Sequence, residues 1–104
     1  MRVIYKEPGK PARTMVIDGS LKTLQDLVGG YIEHIHVKDK VGILCNEDGK
    51  NLGLEPNLLT AYDVIRGPVV FVGDGGEDFR GLTDEEVDDI RSWLKPMDMA
   101  RWTR

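Results

Sequence analysis

Between Ser20 and Gly53 the chain switches from one hydrophobic period to another, and that switch limits its folding more than any other feature. Leu21, Leu24, Leu27 and Val28 recur at three- and four-residue spacing, which puts them on one stripe of a helix and leaves Lys22, Gln25 and Asp26 to water. Ser20 stands where its hydroxyl can cap the first turn. Gly29 and Gly30 predict the stop, because glycine takes the left-handed conformation of a helix end without a side-chain clash. Past them, Tyr31 to Val37 and Val41 to Cys45 are rich in β-branched and aromatic residues, separated by the polar Lys38-Asp39-Lys40. The spacing predicts a helix over 20–29 and a hairpin over 31–45, closed by the turn Asn46 to Lys50.

The flanks complete the pattern. Residues 1–18 read as an N-terminal hairpin, Arg2 to Lys6 and Arg13 to Asp18 around Glu7-Pro8-Gly9-Lys10-Pro11. Asn51 to Asn57 lacks periodicity and reads as loop, and Leu58 to Tyr62 as a single helical turn. Val69 to Val72 is a continuous apolar strand, implying protein on both of its faces. A second helix is expected over 83–95. Thr83 and Glu86 have capping-box spacing, Leu82 can staple onto Val87, and Val87, Ile90, Leu94 and Met97 form its apolar stripe beside Trp93. Pro96 should end or bend it, leaving 96–104 as a tail that carries Trp102. The expected class is a single α+β domain, an antiparallel sheet of about five strands with two main helices packed on one face.

With 104 residues, 40% of them hydrophobic and 31% charged, the chain suits one folded domain and not a disordered one. No apolar run approaches the roughly 20 residues of a membrane helix, and the start has no signal-peptide core, so the expectation is a cytoplasmic protein without membrane partners. Cys45 is the single cysteine and sits in an apolar strand, where a small buried hydrophobe is its plainest role. Between Asp74 and Asp89 eight acidic residues face Arg80 alone, a local balance of −7 within a total of −4. Acidic residues in a first helical turn stabilise the helix dipole. The sharper alternative is a phosphate-mimicking face for a basic partner.

Few chemistries survive. His34 and His36 alternate on one strand, and a two-residue turn at Asp39-Lys40 would set His34 opposite Cys45; three such ligands could hold zinc, but no fourth with tight spacing is evident. Asn46, Asp48, Gly49 and Glu55 share part of a calcium-loop spacing, but the first ligand position falls on Leu44. Gly73-Asp74-Gly75-Gly76 lacks the Lys-Ser/Thr of a phosphate loop and the third glycine of the dinucleotide pattern. No Ser, His and Asp arrangement stands in a recognisable setting. The expectation is a protein without catalytic residues, metal or cofactor, and too acidic for direct nucleic-acid binding.

Glu7-Pro8-Gly9-Lys10 after a first strand, LQDLVGGYIE from Leu24 to Glu33, CNEDGKNLGLEPN from Cys45 to Asn57, and the closing GED with LTDEEV extend over nearly the whole chain. In these segments the sequence resembles a family of small domains of unknown function found in bacteriophages and in plasmids or integrated elements of Gram-positive bacteria. Where relatives often carry arginine after the Pro-Asn pair, Leu58 stands here. The resemblance brings no catalytic residues. It implies a non-enzymatic binding protein of a mobile element, working in the host cytoplasm.

Two binding modes follow. A captured small molecule, such as a nucleotide-like signal of host defence, would be held by polar turn residues, with Gly29, Gly30, Tyr31, Asn46, Lys50, Asn51 and Asn57 the candidates. Ordinary turn chemistry is the plainer account of each. An inhibitor of a host protein would present Glu77, Asp78, Glu85 and Asp88. A small enzyme using Glu33 or His34 is the remaining alternative, and assembly into a homo-oligomer would bury sheet edges.

Overall fold

Three strands of this protein are buried on both faces, and the rest of the chain is arranged to cover them. The structure, a computed structural model, describes residues 1–61 and 63–99; Tyr62 and the tail residues 100–104, Trp102 among them, lie outside the described residues. The element order is β1 (Arg2–Lys6), β2 (Arg13–Val16), α1 (Leu21–Val28), β3 (Ile32–Lys38), β4 (Val41–Asn46), β5 (Pro56–Leu59), β6 (Val64–Arg66), β7 (Val69–Asp74), β8 (Phe79–Arg80) and α2 (Asp84–Met97). The main sheet runs β2-β1-β7-β4-β3, antiparallel throughout, with the short β8 on the end of β7; β5 and β6 form a separate hairpin. The α+β class and the five-strand antiparallel sheet match the sequence reading.

Alternation along the central strands feeds two cores. Val3, Tyr5, Leu44, Val70 and Val72 point to one side and pack with Leu24 and Val28 of α1. Ile4, Ile43, Cys45, Val69 and Phe71 point to the other and pack with Leu58, Ile65, Leu82, Ile90 and Leu94. The helices therefore lie on opposite faces, not together on one. Chain path is the reason: β2 and β3 are the two edges of the sheet, so α1, which joins them, must cross one face. The other face, equally apolar, is left for α2 and the β5–β6 hairpin.

Local signals explain the helix ends. Ser20 Oγ accepts from Thr23 N–H at 3.1 Å, and Gly29, at φ 80°, closes α1 with its N–H on Gln25 O. Ser20→Ala should therefore cost about 1 kcal/mol in a urea titration; an unchanged midpoint would show that the cap contributes nothing. The capping box of α2 is present, with Thr83 as N-cap and Glu86 reaching back, and the helix ends one residue after Pro96. None of the helices described is long and apolar enough to cross a membrane.

Two further expectations are corrected. Leu58 and Leu59 are in strand β5, not a helical turn: Leu58 is fully buried opposite Ile65, and this pairing overrides the local sequence. At the β3–β4 turn a bulge between His36 and Lys38 takes up an extra residue, with Asp39 at φ 52°, so His34 lies opposite Leu44 and Glu33 opposite Cys45. His34, edge-on to Phe79 on the α1 side, and Cys45, in the α2-side core, are thus divided by the sheet and cannot share a metal.

Candidate functional site

Where the β5–β6 hairpin folds over the β3–β4 end of the sheet it leaves an open groove of about 520 Å³. Its floor is apolar, built by Ile35, Cys45 and Ile65. Glu33 and Glu47 stand on the sheet side; Tyr31 O accepts from Glu47 N–H, so the two acids are diagonal neighbours across β3 and β4 on one face. The turn after β4 supplies Gly49, Lys50 and Asn51, and the hairpin supplies Thr60, Asp63 and Arg66.

The charges in the groove are unevenly matched. Lys50 Nζ bonds Asp63 Oδ2, which lowers the Asp63 carboxyl below its ordinary range. Arg66 Nη1 donates to Leu54 O at 3.2 Å, a carbonyl and not an acid. Among the described residues no hydrogen bond or ion pair ties the Glu33 or Glu47 side chains. The two carboxylates thus have no side-chain partner among them, and the Arg66 guanidinium, with one N–H on Leu54 O and its charge felt by Asp63, keeps further donors for a ligand. Burial, with a smaller contribution from Glu33, pushes the Cys45 thiol up to about 11, so at neutral pH it is a protonated donor, directed at Glu33 O, and no nucleophile.

The sequence candidates are dispersed by the fold. Asn46, Lys50 and Asn51 line the groove. Asn46 is 6% exposed and structural: its Nδ2 donates to Val28 O at 3.3 Å and its Oδ1 accepts from Asp48 N–H at 2.8 Å. That places the amide against Gly30, where a Cβ would lie 2.9 Å from Nδ2, which is what glycine provides at this point. Gly29, Gly30 and Tyr31 instead border a separate shallow hollow with Gln25 and Asp26 at the end of α1.

Asn57 belongs to neither. Fully buried, it donates from Nδ2 to Lys6 O and Gly67 O, at 3.0 and 2.9 Å, and accepts at Oδ1 from Lys6 Nζ at 2.9 Å. Lys6, 1% exposed, also reaches Asp98 Oδ1 at 3.3 Å. This is an internal brace, and it contradicts a ligand role for Asn57.

The acidic candidates do not converge on one cavity. Glu85 borders a hollow with Glu86, Asp89 and Trp93, whereas Glu77 and Asp78 lie at the exposed β7–β8 turn and line none of the cavities described here; Asp88 is exposed on α2 outside the hollow. Their neighbours carry structural duties: Asp84 pairs with Arg2, and Glu86 with Arg80.

The profile of a family described as a domain of unknown function, DUF3846, matches residues 1–95. The chain belongs to the DUF3846 family. No curated protein and no solved structure matches it. The DUF3846 match spans every strand and most of α2, so both walls of the groove belong to the family's domain. Glu33, Thr60, Asp63 and Arg66 were not legible as groove residues, because three of the four sit on or beside a hairpin whose strands look like loop and helical turn in the sequence.

Proposed function

We propose that this protein is a non-enzymatic binding protein, and that its ligand is a small molecule held in the groove between β3–β4 and β5–β6. The observation that carries the reading is the mismatch of charge there: Glu33 and Glu47 have no side-chain partner among the described residues, while Lys50 is already neutralised by Asp63. An ammonium group fits between the two acids, and Arg66 can meet a carboxylate or hydroxyl at the other end. A nucleotide-like molecule fits less well, since its phosphates would face the two free carboxylates and no aromatic ring among the described lining residues offers a base to stack on. The apolar floor with the protonated Cys45 supplies contact area without a reactive group.

A thermal-shift panel of amines, amino acids and nucleotides tests this directly. A ligand at about 100 times its Kd stabilises the folded form by about 2.7 kcal/mol, several degrees in a domain of this size. The expected result is a shift with an ammonium-bearing compound that disappears in Glu33→Gln and Glu47→Gln. A shift with nucleotides alone would overturn the ammonium reading, and silence across the panel would remove the groove as a ligand site. The setting, a phage or mobile element acting in the host cytoplasm, is supported by the sequence resemblance, and genes of defence or replication beside this one would test it.

A further inference from the structure

On the α2 side of the sheet a lysine closed off from water meets both a carboxamide and a carboxylate. Lys6 Nζ lies 2.9 Å from Asn57 Oδ1 and 3.3 Å from Asp98 Oδ1, with Glu7 O as a third acceptor at 3.3 Å. Lys6 and Asn57 are both buried, and Lys6 stands opposite Val69, which with Ile4 and Leu58 belongs to the core on this face. The amide is held against turning, because its Nδ2 donates to both Lys6 O and Gly67 O. Its carbonyl is thereby aimed at the amine, and with a C=O bond of about 1.2 Å its Cγ lies no more than about 4.1 Å from Nζ. Asp98 is placed by its backbone as well, through its N–H on Leu94 O and a bridge to Leu58, the residue after Asn57. A nucleophile, a carbonyl carbon and a proton carrier are thus fixed together, the condition under which a slow bimolecular reaction becomes a feasible intramolecular one.

We propose that Lys6 and Asn57 join covalently and unaided, through an amide between Lys6 Nζ and Asn57 Cγ. A proton passes from the Lys6 ammonium to the Asp98 carboxylate, which frees the lone pair on Nζ. That pair attacks Asn57 Cγ, and the carbonyl π pair moves onto Oδ1. Asp98 then gives its proton to Nδ2 and takes one from Nζ. The carbonyl re-forms, the Cγ–Nδ2 bond breaks, and ammonia leaves, taking up the last proton from Asp98. One carboxamide and one lysine ammonium become one secondary amide and one ammonium ion, so hydrogen and charge balance and nothing is oxidised. Asp98 is the half-buried member of the cluster, which gives the ammonia a way out. Burial of Lys6 and Asn57 keeps water from the new amide. The bond closes a loop from Lys6 on β1 to Asn57 on β5 and ties the main sheet to the β5–β6 hairpin. It restricts the unfolded chain as a disulfide does, in a sequence whose single cysteine cannot supply one. Neither Lys6 nor Asn57 lines the groove, so the link stands apart from any ligand there.

Intact-mass spectrometry of the purified full chain tests this. Wild type, kept folded at neutral pH for a day, should be lighter than its sequence by the mass of one ammonia. Lys6→Arg and Asp98→Asn should each keep the full mass of their sequences. After trypsin, wild type should yield a branched product in which the chain is uncut at Lys6 and joined to residues 51–66, the fragment that carries Asn57. Asp98→Asn leaves both reacting groups in place, and circular dichroism confirms that it is folded, so its failure to form the bond is loss of the proton carrier. If Lys6→Arg does not fold, the branched product and Asp98→Asn decide the matter without it. Wild type at its full sequence mass overturns the proposal. So does a loss of ammonia that persists in folded Lys6→Arg, which marks an asparagine closing on its own backbone, and so does a branched product formed as fully in Asp98→Asn as in wild type.

Discussion

Asn57→Ala should be the most damaging polar substitution in the chain, costing roughly 3–5 kcal/mol and lowering the melting midpoint by more than about 10 °C. Asn57 is fully buried and uses all three of its bonds to join separate parts of the fold: Lys6 O on β1, Gly67 O after β6, and the Lys6 ammonium. Truncation leaves a cavity and strips an acceptor from a charge that is 1% exposed. Such a loss is a large fraction of the roughly 5–15 kcal/mol by which domains are stable. Converting the brace to hydrocarbon should be milder: Asn57→Leu combined with Lys6→Met removes the buried charge along with its acceptor, and Asp98, which gives up only this ion pair, is half-buried and can turn to water. Differential scanning calorimetry of the three proteins decides it. A single variant melting within a degree or two of wild type would mean that water replaces the amide and that the brace carries little.

The brace also shows where sequence reasoning stopped. Lys6 ends a strand as lysine often does at a solvent-facing turn, and Asn57 follows proline in what looks like a loop, so each has an adequate local explanation. Only the docking of β5 beneath β1 and α2 buries both. By contrast the ends of α1, the capping box of α2 and the strand character of Val41 to Cys45 are set within a few residues of chain, and the sequence shows them. The placement of α1 and α2 on opposite faces was hidden for another reason: central strands buried on both sides look the same whichever helix covers which face. The groove shares this limit, because its walls come from residues about 20 to 30 apart in sequence, and its free acids become visible only when Lys50 is seen to be spent on Asp63.

Glu86 should give the chain its main acid-sensitive contact. Its two carboxylate oxygens accept from Arg80 Nη1 and Nη2 at 2.8 and 2.9 Å, and Oε1 also takes the Thr83 N–H at 2.9 Å. Arg80 holds the carboxyl down, from 4.5 to about 2, against a smaller opposing effect of burial. At about 1.4 kcal/mol per unit the shift sets an upper bound of roughly 3 kcal/mol. A third of the Arg80 side chain is open to water, which screens the pair, so Glu86→Gln should cost about 1–2 kcal/mol at pH 7. In the unfolded chain this carboxyl binds its proton near 4.5, and in the folded one only near 2. Its contribution is therefore complete above pH 4.5 and drains away as the pH falls toward 2. Melting curves of wild type and Glu86→Gln should differ most at neutral pH and converge at the acid end, with the wild type losing more. A gap unchanged from pH 7 to pH 2 would show that the variant loses shape at the head of α2 and not a charge. The guanidinium also lies across Gly73, where a Cβ would overlap Nη1, so Gly73→Ala should remove the same pH-dependent increment by displacing Arg80 without touching Glu86.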